Sequence, residues 1–259
     1  MSAAYSEFYH GKRVWIICAS SGIGYVLALE LASLGAHVIA SARNNVSLLQ
    51  LATDAKARDV PNDIEPLQLD VAQEGALSKA IENMVSENAL PDTVLFLAGF
   101  YQPTSIHTID AEDLHHTLRV NLWAALEMCR LITPLFYERA SGQIAIAGSV
   151  SGYRGLPKGQ PYSATKAALM NFAESLYVES KPQGVDVKLI SPGFVQTPLT
   201  DKNTFTMPDI ISAEEAAKFI SDGLSKKDFE IHFPKRFTRK LKFLRVLPAK
   251  LYFKLAQKL

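Results

Sequence analysis

Residues Val14-Trp15-Ile16-Ile17-Cys18 run directly into Ala19-Ser20-Ser21-Gly22-Ile23-Gly24. The first stretch is apolar throughout and rich in β-forming side chains, which predicts a strand buried on both faces. The glycines of the second stretch open a helix that we expect to reach about Ser33, with Gly35 as its C-terminal cap. A strand, a glycine-bearing turn and a helix in this order are typical of the start of a dinucleotide-binding fold.

Strand-like and helical patterns keep alternating along the rest of the chain. We expect further strands at 38–40, 64–69, 93–97, 143–148, 185–190 and 229–233. We expect further helices from about 46, and at about 73–86, 111–139, 161–180 and 213–225. This alternation predicts an α/β fold, a doubly wound (Rossmann-like) parallel sheet, as a single domain over residues 1–233. In such a sheet, ligands bind at the carboxyl ends of the strands.

The bulk properties fit an enzyme-sized globular domain. The chain has 259 residues, 48% of them hydrophobic, and a net charge of only +1, which argues against a nucleic-acid-binding protein. The segment from Met1 to Arg13 has no apolar core of the signal-peptide type, and no apolar run is long enough to span a membrane. The two cysteines, Cys18 and Cys129, are expected to be buried in a reducing compartment, which predicts a cytoplasmic location.

The near-neutral total charge hides a strongly basic C-terminal tail at 234–259. Residues 231–259 hold nine Lys and Arg and no acid, which leaves 18 basic and 26 acidic side chains in the other 230 residues. An apolar helical stripe runs through the tail, interrupted at Pro248, and consists of Phe237, Leu241, Leu244, Leu247, Leu251, Leu255 and Leu259. A basic amphipathic helix suits the surface of an anionic membrane. Alternatively, the stripe packs on the acidic body of the protein or on a neighbouring subunit.

A second informative stretch is Tyr162-Ser163-Ala164-Thr165-Lys166, which follows Pro161. In a helix, residues four apart share a face, so Tyr162 and Lys166 lie side by side. A nearby ammonium group lowers the pKa of a phenol, and a phenol so tuned can exchange a proton with a carbonyl or hydroxyl oxygen. Ser149, thirteen residues before Tyr162 at the end of a predicted strand, can donate a hydrogen bond to the same oxygen.

Together these residues resemble the short-chain dehydrogenase/reductase family. The matching pieces follow the family order and span residues 13 to about 233: they are Ala19 to Gly24, Asp70-Val71, Ala98-Gly99, Asn121, Ser149, Tyr162 with Lys166, and Ser191-Pro192-Gly193. Each piece alone is common, but the set in this order is specific.

The resemblance implies a catalytic tetrad of Asn121, Ser149, Tyr162 and Lys166. In this family Tyr162 would be the acid/base, Lys166 would lower its pKa and hold the nicotinamide ribose, and Ser149 would polarise the substrate oxygen. Asn121 would support a water that carries protons to Lys166. The hydride belongs to the cofactor, so no metal is expected, and the six histidines show no ligand spacing.

The resemblance also assigns the cofactor contacts along the chain. The turn of Ser20, Ser21, Gly22, Ile23 and Gly24 would hold the pyrophosphate with backbone N–H groups and the positive end of the helix dipole. The remaining predicted contacts are Asp70 and Val71 at the adenine, Ala98 and Gly99 at a close backbone approach, Tyr162 and Lys166, Pro192, Gly193 and Val195 at the nicotinamide, and Thr197 at the phosphates.

The end of the second predicted strand favours NADP(H) over NAD(H). An acid there would bind the ribose 2′-hydroxyl, but the chain has Ser41-Ala42-Arg43-Asn44. The planar, charged fork of Arg43 suits a 2′-phosphate. The alternative is that Arg43 is a solvated loop residue.

The chain departs from the family pattern at two places. Cys18 stands where the family has its first glycine, and its Cβ is expected either to shift the turn or to crowd the adenosine side. Phe96-Leu97 replaces the usual asparagine pair, which leaves backbone groups between the central strands in need of other partners.

The predicted function is therefore that of an NADP(H)-dependent oxidoreductase interconverting a carbonyl and an alcohol. Loops near the site are rich in apolar and aromatic side chains, which suits a hydrophobic substrate such as a keto-lipid; these are Phe100, Tyr101, Tyr153, Leu156, Phe194, Leu199, Phe205 and Met207. The alternatives are a catalytically idle NADP(H)-binding regulator and a membrane-associated scaffold. The apolar residues on several sides of helix 111–139 predict a homodimer or homotetramer.

Overall fold

The computed structural model describes residues 7–157 and 159–257. Within this part of the chain the strands form one seven-stranded parallel sheet in the order β3-β2-β1-β4-β5-β6-β7. The strands are β1 (Arg13–Ile17), β2 (His37–Ala42), β3 (Ile64–Gln68), β4 (Thr93–Phe96), β5 (Gly142–Ala147), β6 (Val185–Pro192) and β7 (Glu230–Phe233). The predicted doubly wound sheet is confirmed.

Helices cover both faces of the sheet, as the alternation of patterns predicts. They are α1 (Gly22–Ser33), α2 (Asn45–Ala57), α3 (Ala76–Ser86), α4 (Ala111–Leu118), α5 (Ala124–Glu138), α6 (Tyr162–Ser180), α7 (Ala213–Leu224), α8 (Lys235–Val246) and α9 (Ala249–Ala256). The predicted single helix at 111–139 is wrong in one respect, because a π-helical turn at Arg119–Trp123 separates α4 from α5.

The central strands are apolar throughout because each side chain packs on one of two cores. Trp15 and Ile17 of β1 belong to the core beneath α3, α5 and α6. Val14 and Ile16 of the same strand belong to the core beneath α1, α2 and α7. Alternating side chains of a strand point to opposite faces, so a strand covered on both faces must be apolar at every position.

The strand order reverses between β1 and β4, which creates the crevice where such folds bind ligands. Val14 of β1 pairs with Val38 of β2 on one side and with Thr93 of β4 on the other. The chain therefore leaves β1 toward one side and returns for β4 on the other, and the loops after these two strands part at their carboxyl ends.

The backbone beside the replaced asparagine pair has regular partners. Phe96 is fully buried in the core, and its backbone pairs with Ile17 on one side and Ile146 on the other. The N–H of Leu97 donates to the carbonyl oxygen of Ile17 at 3.1 Å. The ladder thus extends one residue beyond β4, which supplies the partners that the sequence left open.

The basic tail forms α8 and α9, which are interrupted at Pro248 as predicted, and its inner face lies on the body. Lys242 pairs with Glu230 of β7 at 2.6 Å, and Arg245 pairs with Glu174 of α6 at 3.6 Å. Outside the described residues lie 1–6 of the predicted polar N-terminus and two residues of the basic tail, Lys258 and Leu259. Leu259 is the last residue of the predicted apolar stripe. Among the described residues, none of the helices is long and apolar enough to cross a membrane.

Candidate active site

The turn after β1 holds Cys18 in a conformation that favours glycine. Its φ is +78°, in the left-handed region. Two hydrogen bonds fix it there: the N–H groups of Cys18 and Ala19 both donate to the carbonyl oxygen of Ser41, at 2.8 and 2.9 Å. A Cβ in this region crowds its own backbone, which costs roughly 1–2 kcal/mol. The departure from glycine that the sequence shows is therefore accommodated at the expense of backbone strain.

We expect Cys18→Gly to be more stable than Cys18→Ala by about 0.5–1 kcal/mol, since both lose the thiol but only glycine relieves the strain. The alanine variant is the matched control because it keeps the Cβ. Urea unfolding followed by circular dichroism measures the difference. Equal midpoints for the two variants, or a more stable alanine variant, would contradict strain at this position.

The start of α1 presents an open backbone surface that fits a pyrophosphate. Ser21, which precedes the helix, makes no side-chain cap, so the first N–H groups of α1 are left to bind an anion. Gly24 is required for packing, since a Cβ there would lie 2.1 Å from the carbonyl oxygen of Cys18. At Gly22, with φ +55°, a Cβ would lie 3.0 Å from Cγ2 of Thr197. The structure thus brings the predicted phosphate contact Thr197 to the glycine turn.

The predicted adenosine-side residues lie together at the ends of β2 and β3. The N–H of Leu69 donates to the carbonyl oxygen of Ala42 at 2.9 Å, which aligns the two strand ends. Asp70 accepts from the N–H of Ala72 at 2.9 Å, and Arg43 is exposed with its carbonyl bound by Gln68 at 3.1 Å. No described residue forms an ion pair with the guanidinium of Arg43. Burial raises the pKa of Cys18, and the positive charge of Arg43 is close enough to oppose that rise.

Ser149 and Tyr162 meet at the carboxyl end of β5. Ser149 follows the strand, Tyr162 is the first residue of α6, and the Ser149 hydroxyl lies close enough to the phenol to act on its pKa. The Oγ of Ser149 also accepts from the N–H of Ser151 at 3.2 Å and from its hydroxyl at 3.0 Å. The ring of Tyr101 packs edge-on against Tyr162 at 5.2 Å between centroids. Two hydroxyl groups therefore converge where one substrate oxygen can contact both.

Lys166 shares a helix face with Tyr162 as predicted, but it does not lower the phenol pKa in this structure. Its Nζ donates to the carbonyl oxygen of Ala147 at 2.8 Å and lies 5.6 Å from the centroid of the Tyr162 ring. Burial raises the pKa of Tyr162 to about 12, against a smaller lowering by the nearby Ser149 hydroxyl. Burial also lowers the pKa of Lys166 to about 8. The expected lowering is wrong here because desolvation outweighs a charge held this far from the hydroxyl.

Asn121 lies in the π-helical turn and is fully buried. Its Oδ1 accepts from the N–H of Phe100 at 2.6 Å, and its Nδ2 donates to the carbonyl oxygen of Phe100 at 2.8 Å. Nδ2 also lies 3.3 Å from the hydroxyl of Thr165. Asn121 thus fastens the loop after β4 to the helix that carries Tyr162 and Lys166. Its predicted support of a proton-carrying water stays a prediction.

The predicted nicotinamide end of the crevice is lined by the loops after β4 and β6. Gly99 is open toward Lys166, since a Cβ on Gly99 would lie 3.9 Å from the lysine Nζ. Pro192 ends β6, and the N–H of Gly193 donates to the carbonyl oxygen of Phe233 at 2.7 Å. Val195 is buried and bridges to Ile211.

The predicted substrate-side aromatics divide into two groups. Phe194 packs against Phe205 at 5.7 Å and against Phe237 of α8 at 5.6 Å between ring centroids. Tyr101 packs directly against Tyr162 and so lies at the site, while the Phe194 cluster lies directly after the Gly193 turn. Tyr153, in contrast, is buried, and its hydroxyl donates to Glu230 at 2.6 Å. Tyr153 is therefore a structural contact and does not line the crevice.

Sequence reasoning missed several residues that hold the site together. Ser151 orients Ser149, and its position two residues away matches a common local hydroxyl motif that could have revealed it. Thr200 accepts from the N–H of Thr197 at 3.1 Å. Phe237 of the tail packs against the turn at Gly193, because a Cβ added to Gly193 would lie 3.0 Å from the Phe237 ring. No local pattern points to this last contact, because it joins distant parts of the chain.

Comparison with known proteins places the chain in a family. A family model described as short chain dehydrogenase matches residues 12–207. The chain belongs to the short-chain dehydrogenase/reductase family. It is an NAD(P)-dependent oxidoreductase of the Rossmann-like class, as the crevice and its hydroxyl groups indicate.

Several known proteins resemble the chain over most of its length. An uncharacterized oxidoreductase of Myxococcus xanthus is 34% identical over 241 residues, which are 93% of this chain and 94% of that protein. An 11-beta-hydroxysteroid dehydrogenase A of Sesamum indicum is 30% identical over 77% of this chain and 57% of its own length. The solved structure of a short-chain dehydrogenase from Sphingobium yanoikuyae in complex with NADPH superposes with a TM-score of 0.80 at 23% identity, covering 92% of this chain and 97% of that one.

Proposed function

We propose that this short-chain dehydrogenase interconverts a carbonyl and an alcohol with NADP(H) as its cofactor. The observation that carries the proposal is the meeting of the Ser149 and Tyr162 side chains at the carboxyl end of β5, with the buried Lys166 one helical turn after Tyr162. Arg43 supports the choice of NADP(H), since it is an exposed guanidinium at the end of β2, where a 2′-phosphate would lie.

The side chains of the site account for the proton in this reaction. Bound NADPH supplies the hydride that goes to the carbonyl carbon. The hydroxyls of Ser149 and Tyr162 donate hydrogen bonds to the carbonyl oxygen, and the phenol of Tyr162 gives its proton to the oxygen as the alcohol forms. Lys166, whose Nζ lies in the same buried crevice, is placed to stabilise the phenolate left on Tyr162.

We propose a hydrophobic substrate such as a keto-lipid. The ring of Tyr101 packs against Tyr162, and Phe194, which follows the predicted nicotinamide contact Gly193, packs against Phe205. Aromatic side chains near the reacting groups favour a bulky, poorly charged ketone. The relative from Sesamum indicum, named a hydroxysteroid dehydrogenase, supports this class.

A screen that follows NADPH absorbance with long-chain ketones, steroid ketones and short charged keto acids tests the assignment. Turnover of the hydrophobic ketones is expected. Turnover of the keto acids alone would contradict the substrate class. NADPH binding without turnover of any carbonyl compound or, in reverse, any alcohol would favour an idle NADP(H)-binding regulator.

We also propose that the protein is a homodimer or homotetramer, assembled through the surface of α4, the π-helical turn and α5. Leu118 and Trp123 are 40% and 63% exposed there, and the half-buried Leu122 and Leu126 line a shallow groove between them. Val178 of α6 is 71% exposed. An apolar surface of this kind fits a second copy of the chain.

We expect Trp123→Glu to shift the oligomer toward a 28.5 kDa monomer, because a charge buried between two copies has no partner. Light scattering at micromolar concentration measures the shift. Val46→Glu, at an equally exposed apolar position on α2, is the control that should leave the mass unchanged. A wild-type protein that is already monomeric at this concentration would refute the assembly.

A peripheral membrane contact through 235–259 is a second proposed role, favoured by the outer face of the tail. Phe243, Val246 and Phe253 are 64%, 75% and 58% exposed there. Exposed basic side chains surround them and comprise Arg236, Arg239, Lys240, Lys250 and Lys254. This charge complements an anionic lipid surface, to which each cation adds about 1 kcal/mol.

We expect full-length protein to sediment with vesicles containing phosphatidylserine at low salt and to be released by added salt. Phe243→Ser combined with Val246→Ser removes two exposed apolar side chains and keeps every tail charge, so binding should weaken while the fold is retained. Protein that stays in the supernatant at low salt would leave the tail with a structural role only.

A further inference from the structure

Three consecutive residues between Ser149 and Tyr162 are held by the C-terminal helices. They are Tyr153, Arg154 and Gly155. They lie in the segment 149–162, which joins the two catalytic hydroxyl groups and whose residue 158 lies outside the described part. Within its described part the segment has one short 3-10 turn, at Val150–Gly152. A segment with so little structure of its own depends on outside contacts for its position.

The first contact is a chain of hydrogen bonds from the segment to α8. The hydroxyl of the buried Tyr153 donates to Oε1 of Glu230 at 2.6 Å, and the ammonium group of Lys242 lies 2.6 Å from Oε2 of the same carboxylate. Burial alone would raise the pKa of Glu230, but the hydrogen bonds from Lys242 and Tyr153 hold it below its ordinary value. A carboxylate bound on both oxygens and largely shielded from water joins its two partners firmly.

The second contact is made by Arg154 at the end of α8. Its Nη1 lies within hydrogen-bonding distance of three carbonyl oxygens, those of Leu244 at 3.0 Å, Arg245 at 3.2 Å and Leu247 at 2.6 Å. The last carbonyls of a helix have no partner within the helix and lie at the negative end of its dipole. Arg154 therefore supplies the C-terminal cap of α8 from a distant part of the chain.

The third contact is with Tyr252, a buried residue of α9. The guanidinium carbon of Arg154 lies 4.1 Å from the centroid of its ring, a cation–π arrangement. The hydroxyl of Tyr252 donates to the carbonyl oxygen of Gly155. Both C-terminal helices thus contact Arg154, and α9 also holds the next residue, Gly155.

The held residues are rigidly connected to the catalytic groups. Gly152 packs so closely on α6 that a Cβ there would lie 2.8 Å from the backbone of Lys166 and Ala167. Ser149 and Tyr153 flank the short 3-10 turn Val150–Gly152, and the hydroxyl of Ser151 within that turn donates to Ser149. A displacement of residues 153–155 is therefore transmitted to the hydroxyl of Ser149 and to its distance from Tyr162.

We propose that α8 and α9 clamp the segment 149–162 in its catalytic geometry, with Arg154 as the positioning residue that couples the tail to the active site. The proposal rests on the proposed function in that the segment carries Ser149 and Tyr162. A small displacement of reacting groups has a large effect on rate, so this coupling gives the tail control over turnover.

Hydrogen–deuterium exchange in Arg154→Ala tests the clamp without any substrate. Loss of the cap and of the ring contact should raise exchange at residues 150–157 roughly tenfold or more, with a matching rise at the end of α8. Arg154→Lys, which keeps the charge and loses the fork, should fall between Arg154→Ala and the wild type. Arg236→Ala is the control, because it removes an exposed tail arginine and should leave residues 150–157 unchanged.

Kinetics on the best substrate of the carbonyl screen separate a positioning role from a structural one. Arg154→Ala should lower kcat about tenfold while the Kd of NADPH, titrated by fluorescence, stays within about twofold of the wild type. A wild-type protein that reduces no carbonyl compound sinks the proposed function, and the exchange result then decides the clamp alone.

Unchanged exchange at residues 150–157 in Arg154→Ala, or raised exchange with wild-type kcat, would overturn the proposal. If Arg154→Ala does not fold, Tyr252→Phe takes its place. This variant keeps the ring under Arg154 and removes one hydrogen bond to Gly155, so it should raise exchange at residues 153–157 to a smaller extent. No change in that variant would count against the clamp.

Discussion

Tyr162→Phe is expected to lower kcat on the order of 100-fold or more, the range of general acid–base catalysis. The substitution keeps the ring that packs against Tyr101 and removes only the hydroxyl that meets Ser149. Without it, no phenol proton reaches the substrate oxygen, and one hydrogen bond to the developing charge is lost. NADPH absorbance with the best ketone of the screen measures the effect.

The same variant should bind NADPH almost as the wild type does, because the glycine turn and Arg43 are untouched. Fluorescence titration of NADPH provides this control. Tyr137→Phe offers a second control, since its hydroxyl lies 2.9 Å from that of Ser180, away from the crevice, and activity should be kept. A Tyr162→Phe enzyme with normal turnover would show that another group supplies the proton.

Arg43→Ala should weaken NADPH binding by roughly 10- to 100-fold and leave NADH binding almost unchanged. A charge-assisted hydrogen bond to a phosphate is worth about 1.5–3 kcal/mol, which corresponds to this range. Only NADPH carries the 2′-phosphate, so the two cofactors separate a specific contact from a general loss of stability. Fluorescence titration with each cofactor gives the two dissociation constants.

Arg58→Ala is the matched control for this prediction. Arg58 follows α2 and is exposed like Arg43, so its removal lowers the net charge equally at a site beyond the strand ends. It should leave the Kd of both cofactors unchanged. Equal weakening of NADPH and NADH in Arg43→Ala would argue that this residue does not contact the 2′-phosphate.

Most of the fold could be predicted from short sequence patterns, because strand and helix formation depends largely on the polarity of neighbouring residues. The continuous apolar run of β1 predicts burial on both faces, and the structure divides its side chains between two cores. The helix at 111–139 was the main error. A π-helical turn adds one residue to a hydrogen-bonded ring, and apolar periodicity does not register so small a change. It is this turn that carries the buried Asn121.

The placement of Tyr162 beside Lys166 could be predicted from the sequence, but the pKa values of the two groups could not. The spacing of Tyr162 and Lys166 places both on one face of a helix, and both lie in α6. Whether the phenol pKa is raised or lowered depends on how deeply Tyr162 and Lys166 are buried and on which carbonyl oxygen accepts from Lys166. Neither quantity follows from spacing, because both depend on β5 and on the packing above it.

The sequence by itself determined the order of strands and helices, the glycine turn, the family and the basic charge of the tail. These features reside in short stretches whose spacing and composition are physically restrictive. Only the tertiary structure decided what the tail contacts. Arg154 and Leu247 are 93 residues apart in the sequence, and no local sequence pattern near either residue predicts their contact. They meet because β5 and β7 are parallel strands of one sheet, so their carboxyl ends lie on the same side of it. There the helix that follows β7 meets the segment that follows β5.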